Sequence, residues 1–186
     1  MKKTIFAFIA LSFISLSAFS QRTTSQNQLK QKKMSNYKWT RESPYSVKET
    51  AERLKAILKH YPTVLFINQI DQQANAKSQG VDIDEMQTLL FQNNALVGAL
   101  FRANPEAAFE LPIKALIWKD AKGKTYIKVT DIDRLDKKYG LNGAYGAIQI
   151  IYDLLPPWLD ILISDTAVDK FGDVLPKVTS SPEIKD

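Results

Sequence analysis

Few residues in this chain could do covalent chemistry, and their types narrow the choices. There is no cysteine and only one histidine. Thiol catalysis, redox dithiols and cysteine-based metal sites are excluded, and a zinc site built from histidines fails by number. A Ser-His-Asp triad would have to run through His60, and nothing in the spacing brings a nucleophile to it. His60 stands instead at the end of a predicted helix, where its charge suits the helix dipole. Asp82, Asp84 and Glu85 form a small acidic cluster. Their spacing does not fit the D-x-D-x-D-G calcium loop and reads as a solvated turn.

Lys114 is more informative. In a strand it shares one face with Leu116 and Trp118, while Ile113, Ala115 and Ile117 take the other. A lysine among such neighbours extends its head to solvent, pairs with a carboxylate, or awaits an anionic group. Asp71 and Asn75 could lie near one end of the same sheet. The stretch Phe91-Gln92-Asn93-Asn94 sets two adjacent amides at the joint between a strand and a helix. Asn93 is expected to cap that helix by accepting from its first N–H groups, and a helix N-terminus is also a place where anions bind. The candidate ligand-binding set is Asp71, Asn75, Asn93, Arg102 and Lys114, with Trp118 as an apolar wall. No catalytic or metal-ligating residue is assigned, and the pattern names no cofactor. The rival reading is an enzyme that uses Lys114 or Asp71 in acid–base work, which requires a pKa moved by burial.

The elements that must position these residues follow from periodicity and turn chemistry. A short extended piece, 37–41, precedes Ser43-Pro44. Ser46-Val47-Lys48-Glu49 fits the capping box, and Val47, Ala51, Leu54 and Leu58 recur at helical spacing, so a helix is expected from Val47 to His60. Pro62 ends it. Residues 63–70 are rich in β-branched and apolar side chains and read as a strand. A short helix over 71–79 closes at Gly80. Further strands are expected over 87–91, 113–119 and 126–130, the last two joined by a turn at Asp120-Ala121-Lys122-Gly123. Helices are expected over 94–103 and 131–139. Residues 144–167 read as two strongly apolar helical pieces separated by Pro156-Pro157. Strands and helices without strict alternation give the α+β class. Both faces of the strands at 63–70 and 113–119 are largely apolar. Helices on one side of a sheet need only one such face, so the second must meet the C-terminal helices, a second subunit or a ligand.

The first twenty residues read as a signal peptide. Lys2 and Lys3 precede an apolar run from Ile5 to Leu16 that is short for a membrane span, and Ala18 and Ser20 have the small side chains of a cleavage site before Gln21. Residues 21–36 are polar and read as a flexible leader. No later segment is a credible span, since the apolar stretch 141–163 is interrupted by Asp153, Pro156, Pro157 and Asp160. The expected location is periplasmic or secreted. Residues 1–36 hold six of the 25 basic residues and none of the 20 acidic ones, leaving 19 basic against 20 acidic from Tyr37 onward. The sequence pI of about 9.2 therefore belongs to the leader, and a nucleic-acid partner is not expected, because such binders carry their excess on the folded domain.

From Ser43 to about Leu141 the chain resembles the DUF302 family, a bacterial and archaeal domain of unknown function. Four pieces in order carry the likeness: S-P-x-S-V-x-x-T at Ser43 to Thr50, I-D-x-x-x-x-A at Ile70 to Ala76, F-x-N at Phe91 to Asn93, and L-P-x-K at Leu111 to Lys114. The resemblance implies an α+β domain over 37–141, a curved antiparallel sheet packed by helices in the TATA-box-binding-protein-like style, often a homodimer. The apolar helical segment 142–186 is then a C-terminal extension. It implies no reaction. Gln92 and Asn94 stand where relatives commonly have Gly and Pro, and Gln72 where many have a histidine. The expected function is a non-catalytic module that binds a small molecule or assembles as a homodimer.

Overall fold

Short polar side chains start most of the helices. The computed structural model describes residues 37–177. The expected signal peptide and leader lie outside these residues. The chain divides into a unit up to Tyr37 and a unit from Lys38 onward, and every element below belongs to the second. Ser46 accepts from Glu49 N at 3.1 Å and opens α1 (Val47–Lys59). Asp71 accepts from Ala74 N at 2.9 Å and opens α2 (Gln72–Ser78). Asn93 accepts from Ala95 N at 3.0 Å and opens α3 (Asn94–Ala103). Asp131 does the same with Arg134 N for α4 (Ile132–Tyr139), which ends on Gly140 at φ 61°. Each side-chain oxygen satisfies a first-turn N–H that has no helical partner.

Between the helices run β1 (Thr40–Ser43), β2 (Val64–Asp71), β3 (Met86–Asn93), β4 (Ile113–Lys119) and β5 (Thr125–Val129). They form one open antiparallel sheet in the order β1-β5-β4-β3-β2. The β4–β5 turn is held by Asp120, whose side chain accepts from Lys122 N and Lys124 N at 2.9 Å each. Gly123 there takes φ 81°, a conformation that glycine adopts without steric cost. The α+β class and the antiparallel sheet agree with the sequence. The first strand sits at Thr40–Ser43, slightly later than expected, and just before it Trp39 O accepts from Val129 N at 3.1 Å.

Register assigns the two sheet faces. Leu89, Phe91, Ile113, Ala115, Ile117, Ile127 and Val129 point to one side and are all buried. That side is covered by α1 and by α5 (Tyr145–Leu162). The α5 helix buries Ile151, Leu154, Leu155, Trp158 and Leu159, and the Trp158 and Phe91 rings lie 6.5 Å apart. Here the structure corrects the sequence reading: Pro156 and Pro157 do not split the segment but lie inside one continuous helix. Each proline removes a helical N–H, a loss of about 3 kcal/mol in an isolated helix interior. The apolar side chains before and after them face the same sheet, and burying a single such side chain is worth about 1.5–3 kcal/mol, so packing outweighs the break.

The last turn of α5 leaves backbone carbonyls without helical partners. Those of Ile161 and Leu162, and two in the segment that follows, are taken by Arg53 of α1, which is only 5 % exposed. Its Nε donates to Leu162 O at 2.7 Å, and Nη2 to Ser164 O and Thr166 O at 2.9 Å each and to Ile161 O at 3.3 Å. The guanidinium lies 4.1 Å from the Tyr45 ring centroid and 5.0 Å from that of Phe171, which begins α6 (Phe171–Val174). A cation at a helix C-terminus is favoured by the dipole, and the aromatic faces favour it further. Nearer the middle of α5, Asp133 accepts from Trp39 Nε1 at 3.1 Å and from the Tyr152 hydroxyl at 2.6 Å, tying α4 and α5 to the residue before β1. Burial first, then the Asp133 carboxylate, raises the Tyr152 pKa above its ordinary 10.0. Burial also raises that of Tyr61.

Arg53→Ala takes the charged donor from Leu162 O and Thr166 O, while Ser164 O keeps the Tyr45 hydroxyl and Ile161 O keeps Ser164, and should cost about 3 kcal/mol. The urea midpoint should then fall by roughly 1.5 M for a slope of ~2 kcal/mol/M. A loss within about 0.5 kcal/mol, the range of ordinary surface substitutions, would show that the contact is dispensable. The two tyrosines also set an alkaline limit. Burial favours the neutral form of both, so their contribution is intact below the unfolded value of 10.0 and is lost as pH rises from there through the raised folded values. Stability should decline as pH rises above 10.0, and Tyr152→Phe should make that decline shallower in urea titrations.

Candidate functional site

The side of the sheet away from α1 and α5 is covered by neither of these long helices; α2 reaches it at one end, where Gln72 donates to Thr88 Oγ1 at 3.2 Å. Register lays it out in rows. Lys128, Leu116, Thr88 and Ile70 form one; Glu42, Tyr126, Trp118 and Met86 a second; Lys114, Leu90 and Asn68 a third. Met86, Leu90, Leu116, Trp118, Tyr126 and Ile70 are all only half-buried. The C-terminal helix does not cover them, because it lies on the opposite face. Trp118 stacks on Tyr126 with ring centroids 5.4 Å apart and planes inclined by 25°. This pair is a direct cross-strand neighbour, the arrangement in which aromatic side chains stabilise a sheet. The face therefore presents an aromatic floor beside aliphatic side chains, with the exposed Lys114 and Lys128 on two rows.

The charged groups at the rim are mostly engaged. Lys114 Nζ donates to Glu110 O at 2.9 Å. Lys138 donates to the Glu110 carboxylate at 2.8 Å, and this bond holds Glu110 below the usual carboxylate range and Lys138 above the usual ammonium range. Glu42 pairs with Lys124 at 2.9 Å, which raises the Lys124 pKa. Lys128 makes no ion pair among the described residues.

A second, smaller space lies on the covered side. Val64, Phe91, Asn93, Leu96, Ile113, Ile151, Leu154, Leu155 and Trp158 enclose room of about 20 Å³ for the centre of a water-sized guest. That admits about one water. The indole N–H of Trp158 is buried without an acceptor.

The six sequence candidates do not converge. Lys114 and Trp118 share the open face, four residues apart on β4. Asp71 ends β2 in register with Gln87, on the covered side, and its carboxylate caps α2. Asn93 also lies on the covered side, where its oxygen caps α3 while it borders the small cavity. Asn75 is an exposed residue of α2 whose carbonyl accepts from Ser78, and Arg102 is exposed in the last turn of α3. Asp71 and Lys114 are thus separated by the sheet itself, so the pair proposed for acid–base work is not assembled. The acidic cluster gives no metal group among the described residues: Asp82 and Asp84 are exposed and Glu85 bonds to Lys119. Sequence reasoning did not single out Tyr126, Leu90 or Lys128. The turn at Asp120–Gly123 carried the signal for the first, since it sets Tyr126 opposite Trp118.

Among curated proteins the chain is 32 % identical over 102 residues to "Fluoride-specific ion channel FluC 1" of Brucella suis and to the protein of the same name in Brucella abortus. The match spans 55 % of this chain but only 40 % and 37 % of those relatives. A solved structure of an uncharacterized conserved DUF302 protein from Bacillus stearothermophilus superposes with a TM-score of 0.53 at 21 % identity, covering 67 % of this chain and 93 % of that one. It has the same fold. The model of the domain of unknown function DUF302 matches residues 39–154, more than half of the chain, and the protein belongs to the DUF302 family.

Proposed function

We propose that this protein is an exported, non-catalytic binding module that works as a homodimer and takes a flat ligand with an anionic group on the open face of its sheet. One observation carries the reading: the two long helices α1 and α5 cover one side of the sheet, α2 reaches the other only at its end through Gln72 and Thr88, and that other side keeps half-buried large apolar side chains around the stacked Trp118 and Tyr126. Contiguous exposed apolar surface of this kind marks an interaction site. The aromatic pair suits a planar group, and Lys128 one row away, without an ion pair among the described residues, suits an anion. Export is supported by Lys2-Lys3, the apolar run 5–16 and the small residues Ala18 and Ser20. No helix among the described residues is long and apolar enough to cross a membrane. The separation of Asp71 from Lys114 by the sheet weighs against acid–base catalysis. The partial match to the longer Brucella proteins supports a module that is combined with other functions.

The three tryptophans make the test direct. Trp39 and Trp158 are 6 % and 3 % exposed, whereas Trp118 stands on the open face. Anilinonaphthalene sulfonate, a flat aromatic anion, should quench Trp118 on binding, and Trp118→Phe should remove most of that quench. Lys128→Glu should weaken binding by about fivefold, the scale of a surface charge contact. Binding that is absent, or indifferent to both substitutions, would overturn the ligand reading. Native mass spectrometry of the purified protein checks for a copurified mass.

A further inference from the structure

The two edges of the sheet are unlike. The β1 edge is four residues long and carries Arg41, which pairs with Asp160 at 2.8 Å, and Glu42, which pairs with Lys124. Short, charged edges resist pairing with another chain. The β2 edge has none of this protection in its sequence. It is eight residues long, is bonded on one side only, and holds no charge from Val64 to Ile70. Leu65, Phe66 and Ile67 are 50 %, 38 % and 45 % exposed. At its beginning β2 borders a groove lined by Lys55, Leu58, Lys59, Val64 and Phe66. At its end stands Asp71, one of whose oxygens caps α2. Lys59 makes no ion pair among the described residues.

We infer that a second copy of this chain pairs with β2 antiparallel across a two-fold axis normal to the sheet, joining two five-stranded sheets into one of ten. This rests on the homodimer reading above and names its joint. Self-complementarity carries it. Pairing β2 along its full length sets Val64 opposite Asp71 of the second copy, Leu65 opposite Ile70, and Phe66 opposite Gln69. Directly opposite residues of an antiparallel pair point to the same face. Strict alternation would put Val64 and Asp71 on opposite faces, since they are seven residues apart. The bulge between Phe66 and Asn68 shifts the alternation by one, so that Val64, Phe66, Gln69 and Asp71 share the covered side and Leu65 and Ile70 the open side. These three pairs therefore match, and Ile67, which the shift leaves without a partner on β3, lies beside Asn68 at the two-fold. A bulge often guards an edge; here it brings matching faces into register.

Charge agrees with this register. Val64 lines the groove that holds Lys55 and Lys59, and its opposite number is the acidic Asp71. By symmetry the contact is made twice, with the uncharged run between the two ends. The pairing covers Leu65 with Ile70 of the other copy and continues the open faces of the two sheets into a single surface, which doubles the proposed ligand platform.

The absence of cysteine makes the joint testable by single introduced thiols. In sedimentation velocity the purified full-length protein should be a dimer. Asn68→Cys, beside the two-fold, should give a disulfide-linked dimer under mild oxidation, while Thr40→Cys on the far edge should not. Lys59→Glu should weaken the dimer by about tenfold, and the reversal Lys59→Glu with Asp71→Lys should restore it. Circular dichroism checks that each variant is folded. A dimer indifferent to Lys59→Glu and not linked through Asn68→Cys would overturn the β2 joint and leave the homodimer standing. A monomer at every concentration would overturn both.

Discussion

The arrangement depends on a charge placed where charges are usually costly. Arg53 sits on the apolar stripe of α1 and meets no carboxylate among the described residues; its partners are backbone carbonyls at and just beyond the end of α5 and the faces of two aromatic rings. A buried cation of this kind is tolerable only when its donors are matched and nearby dipoles oppose its charge. Both conditions are met because the last turn of an eighteen-residue helix gathers oriented carbonyls at one point. The contact joins α1 to α5 and holds both on the same side of the sheet. The protein has no disulfide to do this, so helix placement rests on packing and on such polar joints.

That placement has a direct consequence for the rest of the molecule. With both long helices on one face, no helix of comparable length remains for the other, although its strands are apolar on both sides. The open face keeps its hydrophobic side chains half-exposed, and the aromatic pair there covers only a fraction of that surface. The sheet is also left with one blunted edge and one bare edge. Monomeric proteins usually protect both, since unpaired N–H and C=O groups template further pairing. Among the described residues, neither long helix covers that face, and β2 is bonded on one side only.

Much of this was legible locally. The helix Asn94–Ala103 and the strand Ile113–Lys119 have the bounds that their residues suggest, because their ends are written in short-range chemistry: an asparagine cap, a break before Pro105, a turn aspartate and a glycine. Asn93 does cap α3, through its side-chain oxygen. The continuous α5 was not legible, because the cost of two prolines is visible in the sequence while the sheet that compensates it is not. Arg53 carried a faint signal, lying four residues before Ile57 along the buried side of α1. Its partners, more than a hundred residues away, carried none.

The candidate set shows where the boundary falls. Residue types alone excluded thiol chemistry and histidine-built zinc sites, and two-residue alternation alone showed that the strands at 63–70 and 113–119 have two apolar faces each. Those conclusions need nothing beyond the chain, since composition and strand periodicity are local properties. Which face the C-terminal helix takes, and that Asp71 and Lys114 end on opposite sides of the sheet, were decided only in three dimensions. The reason is the β-bulge at Phe66–Asn68 together with the strand order: a one-residue shift reverses every face beyond it, and no local pattern records which strands become neighbours.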